Sequence, residues 1–186
     1  MRNLIDRAVI VAGLMVAPSA AVAQHEMGMP QHEVGIDVTA FYAKPSGASG
    51  NFNIGTPVDV RLGFVSKAAV SFEPRFAFAF ASGSGGGRSS YAFTPDLNIL
   101  WRLGKGTGMH NLMGPYATAG GGVLLTRIGG TSGGQASLNG GIGTRTPYES
   151  GAVRLEGFGR YNFKSTKLGL PNSFDVGARI GLSLWH

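Results

Sequence analysis

The sequence predicts an all-β fold: an eight-stranded antiparallel up-and-down transmembrane β-barrel with a polar, salt-bridged interior. Three observations lead to this prediction. Charged residues make up only 14% of the chain, against about 25% in a typical soluble domain. Glycine contributes 31 of the 186 residues, a density that weakens helices throughout. From residue 33 onward, apolar and polar residues alternate with a period of two between Gly-rich segments, which is typical of strands.

Composition also excludes several other classes of protein. The chain has the length of one domain, and with 43% apolar residues it is not disordered overall. It has no apolar run of about 18 residues, so a helical membrane span is excluded. The absence of cysteine excludes disulfides and thiolate metal sites. The net charge of +6 is not gathered into a basic stripe, so we expect no nucleic-acid partner.

Residues 1–23 have the layout of a secretory signal peptide. Arg2 and Arg7 give a positively charged start, and residues 8–17 form an apolar stretch that is too short to span a bilayer. The small residues Ala21-Val22-Ala23 then provide a cleavage site. We therefore expect an exported protein whose mature chain begins at Gln24.

Residues 24–32 are predicted to be a disordered periplasmic tail. The motif Gln24-His25-Glu26 recurs at residues 31–33, and Met27 and Met29 lie between the two copies. Imidazole and thioether groups are also ligands for copper, and that alternative stays open. We prefer the tail because nothing later in the chain supplies a matching ligand cluster.

Each of the eight predicted strands is about ten residues long or more, the length that a tilted strand needs to cross a bilayer. They cover residues 33–42, 57–66, 68–81, 90–103, 115–127, 134–145, 151–163 and 173–185. The barrel domain is predicted to span residues 33–186. Short turns join strands at the end that carries the termini, and loops at the other end are mostly longer. The connection 104–114 is an exception, because it is long for the end with the termini.

One face of each predicted strand is apolar and the other carries charge. The charged face holds six acids and seven arginines, a balance that suits mutual neutralisation in an enclosed space. All but Arg102 and Arg145 are predicted to form an interior, structural salt-bridge network. The members of that network are Asp37, Asp59, Arg61, Glu73, Arg75, Asp96, Arg154, Glu156, Arg160, Asp175 and Arg179.

The choice of basic residue favours a membrane barrel over a soluble one. Alternation alone would also fit a soluble sandwich or barrel with an apolar interior. However, all five lysines fall in predicted loops, and the strands use only arginine. A solvated face would use lysine freely, whereas the planar guanidinium suits pairing with carboxylates in a crowded interior. The apolar face is therefore predicted to contact lipid, including Phe76, Phe78, Leu97, Ile99, Ile180 and Leu182.

Aromatic residues gather near the strand ends, as expected at the two interfaces of a membrane. One predicted ring contains Tyr42, Phe80, Tyr91, Phe93, Tyr161, Phe163 and Phe174. The other contains Phe64, Phe72, Trp101 and Trp185. Two such girdles are another feature of a membrane barrel rather than a soluble one.

The Gly-rich second half of the chain resembles a known family. The segments 114–122, GPYATAGGG, and 138–143, LNGGIG, are followed by Arg154-Leu155-Glu156 and by a final alternating strand. They resemble the small outer-membrane β-barrels of the OmpA/OmpX type. The resemblance implies eight antiparallel strands, both termini in the periplasm, and a C-terminal aromatic residue read by the assembly machinery. This chain departs from that pattern, because it ends in Trp185-His186 with His186 in phase with the apolar face.

Charge pairing predicts the register of the strand 2–3 hairpin, because directly opposed like charges are destabilising. It selects Arg61 opposite Glu73 and Asp59 opposite Arg75. For strands 3 and 4 it selects Arg75 opposite Asp96. We therefore predict a ladder of Asp59, Arg75 and Asp96 in the interior.

The same argument applies to strands 7 and 8. It selects Glu156 opposite Arg179 and Arg160 opposite Asp175. The pair of Glu156 and Arg179 is predicted to form a second part of the network.

Chemistry inside such a barrel would need specific residues. Some barrels of this size modify the acyl chains of lipid A with a His and a Ser. The four histidines of this chain, at 25, 32, 110 and 186, do not lie in the middle of a predicted strand beside a Ser. The acids have arginine partners, which keeps them ionised rather than free for acid/base catalysis. We expect no catalytic residues, cofactor or metal.

The expected function is therefore non-enzymatic, structural or surface-interacting, in the outer membrane of a Gram-negative bacterium. Eight strands enclose just enough room for side chains, so the lumen is predicted to be plugged. We expect a monomer whose partners are outer-membrane lipid, the assembly machinery and an extracellular ligand that the sequence does not identify. The alternatives are a lipid A acyl-modifying enzyme, a small-solute porin and a soluble lipocalin-like ligand binder in the periplasm.

Overall fold

A computed structural model describes residues 32–66, 69–81, 90–104, 112–128, 131–148 and 151–185. The predicted signal peptide and residues 24–31 of the predicted tail lie outside the described residues. So do Lys67, Lys105, His110 and His186, and the side chain of Phe80. The last residue of the predicted tail, His32, is the first residue of the first strand.

Eight strands form one closed barrel in chain order, and every neighbouring pair is antiparallel. The strands are β1 (His32–Pro45), β2 (Asn51–Val65), β3 (Val70–Ala81), β4 (Ser90–Arg102), β5 (Gly114–Ile128), β6 (Thr131–Tyr148), β7 (Gly151–Asn162) and β8 (Ser173–Trp185). The barrel closes where β1 pairs with β8 from Glu33 opposite Trp185 to Pro45 opposite Ser173. The predicted all-β barrel of eight antiparallel strands is confirmed.

Several strands are longer than predicted at the end opposite the termini, which we call the outer end. Strand β2 begins at Asn51 rather than residue 57, and β6 begins at Thr131 rather than residue 134. The ladder continues there to Asn51 opposite Ala43, and Phe52 and Ile54 alternate with Asn51 and Asn53. Since residues 55–57, Gly-Thr-Pro, interrupt the alternation beside a register shift in β1, the sequence pattern underestimates β2.

Alternation along the strands sends charged side chains inward and apolar side chains outward. On β2, Arg61 is fully buried, while Ile54 is 70% exposed. Of the six residues predicted to face lipid, Ile99 is half-buried and the other five are exposed. No helix among the described residues is long and apolar enough to cross a membrane. The protein interior is thus polar, and its exterior is an apolar belt.

The described aromatic side chains of the two predicted rings lie towards the two ends of the barrel. At the outer end Tyr42, Tyr91, Tyr161, Phe163 and Phe174 are exposed and Phe93 is half-buried. At the end with the termini, Phe64, Phe72 and Trp101 are exposed and Trp185 is half-buried. Phe52, which no predicted strand contains, is 64% exposed at the outer end of β2 and adds to the first ring.

Glycines on the inner face leave room for the long charged side chains. A Cβ atom at Gly35 of β1 would overlap the guanidinium of Arg61 on β2. A Cβ at Gly181 of β8 would likewise overlap the carboxylate of Asp37. Part of the chain's high glycine content is therefore explained by space inside the barrel rather than by turns.

The predicted registers hold in two of the three hairpins. Arg75 lies opposite Asp96 between β3 and β4. Between β7 and β8, Glu156 lies opposite Arg179. Arg160 lies opposite Asp175 in the same ladder, as predicted.

The predicted register of the β2–β3 hairpin is wrong. Arg61 lies opposite Arg75, two residues away from the predicted pairing with Glu73. The opposition of two arginines is tolerated because each binds carboxylates that come from other strands. Arg61 binds Asp37 of β1, and Arg75 binds Glu156 of β7.

Candidate functional site

The candidate site is a continuous cluster of ion pairs that fills the middle of the barrel and its end with the termini. It contains five carboxylates and five arginines, and N–O contacts of 4.0 Å or less link all ten. We call it the lumenal cluster, and its members are Glu33, Asp37, Asp59, Arg61, Glu73, Arg75, Arg145, Arg154, Glu156 and Arg179. Its formal charge is zero.

Glu73 of β3 is the centre of the lumenal cluster. Its carboxylate lies 2.6 Å from Arg154 and 2.7 Å from Arg75. Two further arginines approach it, Arg145 at 3.6 Å and Arg61 at 3.8 Å. The side chain is only 1% exposed, so these four guanidinium groups take the place of water around the carboxylate.

Glu156 of β7 is a second centre. Its carboxylate oxygens lie 2.9 Å from Arg75 and 2.8 Å from Arg179, and Arg154 also contacts it. The hydroxyl of Tyr116 donates a hydrogen bond to the same carboxylate at 3.1 Å and accepts one from Nε of Arg154. The guanidinium of Arg154 also lies 4.4 Å from the centre of the Tyr116 ring, within cation–π range.

These contacts cross the lumen. Strands β3 and β7 are four positions apart in a ring of eight, so they face each other across the barrel. Arg75 reaches Glu156 and Arg154 reaches Glu73, which joins the two walls twice. An eight-stranded barrel is narrow enough for side chains to fill it, and here the chains that meet across it are charged.

The predicted ladder of Asp59, Arg75 and Asp96 does not form. Arg75 makes no ion pair with either aspartate; its Nε and Nη2 donate to Glu73 and Glu156, and its Nη1 has no hydrogen-bond partner among the described residues. Asp59 pairs instead with Arg179 at 3.3 Å. Asp96 lies opposite Arg75 in the ladder of β3 and β4 but is bound by Arg160 from across the barrel. Register therefore does not determine the partner of these side chains.

The sequence prediction missed three participants. Glu33 is 2% exposed and binds Arg61 and, at 2.6 Å, Arg145. The sequence analysis includes Glu33 only as the first residue of the first predicted strand, although Glu33 lies on the same face of β1 as Asp37. Arg145 was placed on the charged face but left out of the predicted network. Tyr116 was not singled out, because an aromatic residue in a Gly-rich strand gives no signal of an inward hydroxyl.

The outer half of the lumen is less densely packed with charge. Asp175 is half-buried and accepts a hydrogen bond from Asn162 at 2.8 Å. A cavity of about 40 Å³ lies there, lined by Thr39, Phe41, Asp59, Phe158, Arg160, Asp175 and Arg179. It has room for roughly one or two water molecules, and the hydroxyl of Thr39 has no partner among the described atoms.

Arg102 differs from the other interior arginines. It is 6% exposed and donates to the hydroxyl of Ser71 at 3.1 Å and to the carbonyl of Ser66 at 2.7 Å. No carboxylate among the described residues lies within ion-pair distance of it.

Potential metal ligands are scattered over the described part of the chain. No group of three His, Cys, Asp or Glu side chains in the described ranges is placed to hold a metal ion. His32 packs edge-on against the ring of Phe64, with the ring centres 5.8 Å apart. The other three histidines lie outside the described residues.

The fold is similar to those of solved barrels, although no protein-family model and no curated protein sequence matches the chain. The structure of Neisserial surface protein A is 14% identical, covers 86% of this chain and 99% of that one, and gives a TM-score of 0.55. Ail, the attachment invasion locus protein of Yersinia pestis, is 10% identical over 85% of this chain and 99% of that one, with a TM-score of 0.47. The N-terminal β-barrel domain of Pseudomonas aeruginosa OprF is 12% identical over 83% of this chain and all of that one, with a TM-score of 0.44. The likeness to Neisserial surface protein A, together with the closed eight-stranded barrel, shows that the chain has the fold of the small outer-membrane β-barrels.

Proposed function

We propose that the protein is a non-enzymatic β-barrel of the Gram-negative outer membrane with a structural or surface-interacting role. The observation that carries this proposal is the arrangement of its two faces, with apolar side chains outside and a neutralised set of charges inside. In this proposal the lumenal cluster blocks the lumen. The function of the protein is therefore assigned to its outer surface and loops rather than to a pore.

The apolar belt supports membrane insertion over a soluble ligand binder. Ile54 and Ile142 are each 70% exposed, and outward apolar residues occur on all eight strands. A soluble monomer rarely exposes a contiguous apolar patch of more than a few hundred Å². A lipocalin-like protein would place these side chains inside and the charges outside.

The contacts across the lumen support a closed barrel over a porin. The bonds from Glu73 to Arg154 and from Glu156 to Arg75 join opposite walls. One cavity that described residues line in the outer half has a volume of about 40 Å³. Passage of a solute would require several of these ion pairs to break in a region of low dielectric, which is unfavourable.

Two features support the absence of catalysis. The described carboxylates of the lumenal cluster all bind arginine, and His32 lies at the barrel end against Phe64. An acyl-transfer site would need a nucleophile within hydrogen-bond reach of a base.

We further propose that residues 1–23 are cleaved during export and that the assembly machinery recognises β8. We also propose that the protein is a monomer in the membrane.

The proposal is tested by fractionation and reconstitution. The protein should appear in the outer-membrane fraction with Gln24 at its N-terminus, and its folded band should shift on a gel after boiling. Planar bilayers containing it should show no steady openings on the nanosiemens scale. A soluble periplasmic protein without a heat-dependent shift would overturn membrane insertion, and steady large openings would overturn the closed lumen.

A further inference from the structure

Exposed charge on the described part of the barrel has a single sign. The seven described carboxylates, Glu33, Asp37, Asp59, Glu73, Asp96, Glu156 and Asp175, all project into the lumen. Leaving aside His32, the exposed charged side chains of the described ranges are all cations. We call these four residues the cationic rim: Lys44, Arg127, Lys164 and Lys167.

The cationic rim lies at the outer end of the barrel. Lys44 is the last residue but one of β1, and Arg127 is the last but one of β5. Lys164 and Lys167 belong to the connection between β7 and β8 at the same end. The sequence of the other outer connections adds no counter-charge, because residues 46–50, 82–89 and 129–130 contain neither Asp nor Glu.

The cations also share a level with the outer aromatic ring. The Cα partner of Lys44 is Phe174, and that of Arg127 is Tyr91. Lys164 follows Phe163 directly. Aromatic belts mark the boundary between the hydrocarbon and the headgroups, so the charged ends of these side chains are placed in the headgroup layer.

These cations are available to a ligand. Arg127, Lys164 and Lys167 make no side-chain hydrogen bond or ion pair with any described residue. Lys44 donates only to the carbonyl of Ala48, at 3.1 Å within its own turn. Lys44 and Arg127 also continue the outward, lipid-facing phase of their strands, which directs them at neighbouring lipids rather than into the medium.

From this placement we propose that the cationic rim binds phosphate groups of anionic glycolipid headgroups in the outer leaflet. The inference rests on the proposed insertion in the outer membrane. A cation beside an anionic lipid surface strengthens association about fivefold. Four cations without a competing carboxylate therefore select phosphorylated lipids around the barrel. A soluble polyanion is a weaker fit, because two of the four side chains point along the membrane.

The test compares lipids that differ only in phosphate. The full mature chain is reconstituted in phosphatidylcholine vesicles that contain either lipid A with two phosphates or the same lipid A without phosphate. A fluorescent label on the lipid A reports its enrichment next to the rim by energy transfer from a donor dye on Asn51→Cys at the outer end of β2, since the chain has no natural cysteine. We expect at least about tenfold enrichment of the phosphorylated lipid over the dephosphorylated one at low salt, and less at high salt.

Variants separate charge from other properties of the rim. The combined variant Lys44→Gln, Arg127→Gln, Lys164→Gln and Lys167→Gln should bring the two lipids to within about twofold of each other. The matched variant Lys44→Arg, Lys164→Arg and Lys167→Arg keeps the charge and should keep the selectivity of the wild type. Both variants should retain the heat-dependent gel shift, because none of these side chains supports the lumenal cluster.

The outcomes distinguish this inference from the proposed function. A wild-type chain that does not insert in phosphatidylcholine vesicles contradicts membrane insertion itself. A chain that inserts but enriches both lipids equally overturns only the inference about the rim. Selection that survives in the glutamine variant, or tight binding of soluble polyphosphate without lipid selection, would also overturn it.

Discussion

Replacing Glu73 with alanine should destabilise the barrel more than replacing a carboxylate outside the lumenal cluster. Glu73 has four arginines within 3.8 Å of its carboxylate and is 1% exposed. Its removal leaves five arginines to four carboxylates in a space that water does not reach. Breaking a buried pair by removing one partner costs about 3–5 kcal/mol. Since Glu156 still binds Arg75 and Arg154, we expect the lower end, about 3 kcal/mol.

The free energy of unfolding is measured in lipid vesicles by urea titration, with the fluorescence of Trp101 and Trp185 as the signal. Asp175→Ala is the matched control, because Asp175 is half-buried and its hydrogen-bond partner is the neutral Asn162. It should cost about 1 kcal/mol or less. Adding Arg154→Met to Glu73→Ala restores neutrality and should recover part of the loss. Equal costs for Glu73→Ala and Asp175→Ala would refute the claim that the cluster holds the barrel together.

Two further predictions concern the wall of the barrel. Leu97→Arg should lower the free energy of unfolding by about 2–4 kcal/mol, because Leu97 is 52% exposed on the apolar belt near the middle of β4; unchanged folding into vesicles would contradict a lipid-facing position. Gly143→Ala should cost about 1–3 kcal/mol by overpacking, because its Cβ would lie 2.5 Å from a backbone oxygen of the next strand. Gly157→Ala is its control, with the nearest atom 4.0 Å away, and equal thermal stability of the two variants would refute the steric argument.

The phase of each strand could be predicted from the sequence, and the contacts that cross the barrel could not. Alternation assigns Arg61 and Arg154 to the charged face, and both are almost fully buried there. Arg61 binds Glu33 and Asp37 of the neighbouring β1, but Arg154 of β7 binds Glu73 of β3, which is distant in the chain. Such pairs depend on closure of the barrel, which a comparison of neighbouring strands does not include.

The failed β2–β3 register has the same cause. A rule that compares only directly opposed residues treats Arg61 opposite Arg75 as repulsive. In the closed barrel Glu73 lies within 3.8 Å of both arginines, so the local repulsion is offset. The registers of β3–β4 and β7–β8 agree with the rule, but Asp96 still pairs across the lumen with Arg160. Register agreement therefore gave the correct partner for Glu156, which binds Arg179, and the wrong one for Asp96.

The orientation of the two faces is tested most directly with single cysteines, since the natural chain has none. Ile142→Cys places a thiol on the apolar belt, where Ile142 is 70% exposed, and Ser137→Cys places one inside, where Ser137 is 4% exposed. In reconstituted vesicles, a fluorophore on Ile142→Cys should be quenched by lipids that carry a nitroxide on the acyl chain and not by aqueous iodide. The thiol of Ser137→Cys should remain unreactive until the barrel is unfolded. Quenching of the Ile142→Cys label by iodide and not by the nitroxide lipids would contradict a barrel with lipid outside and charge inside.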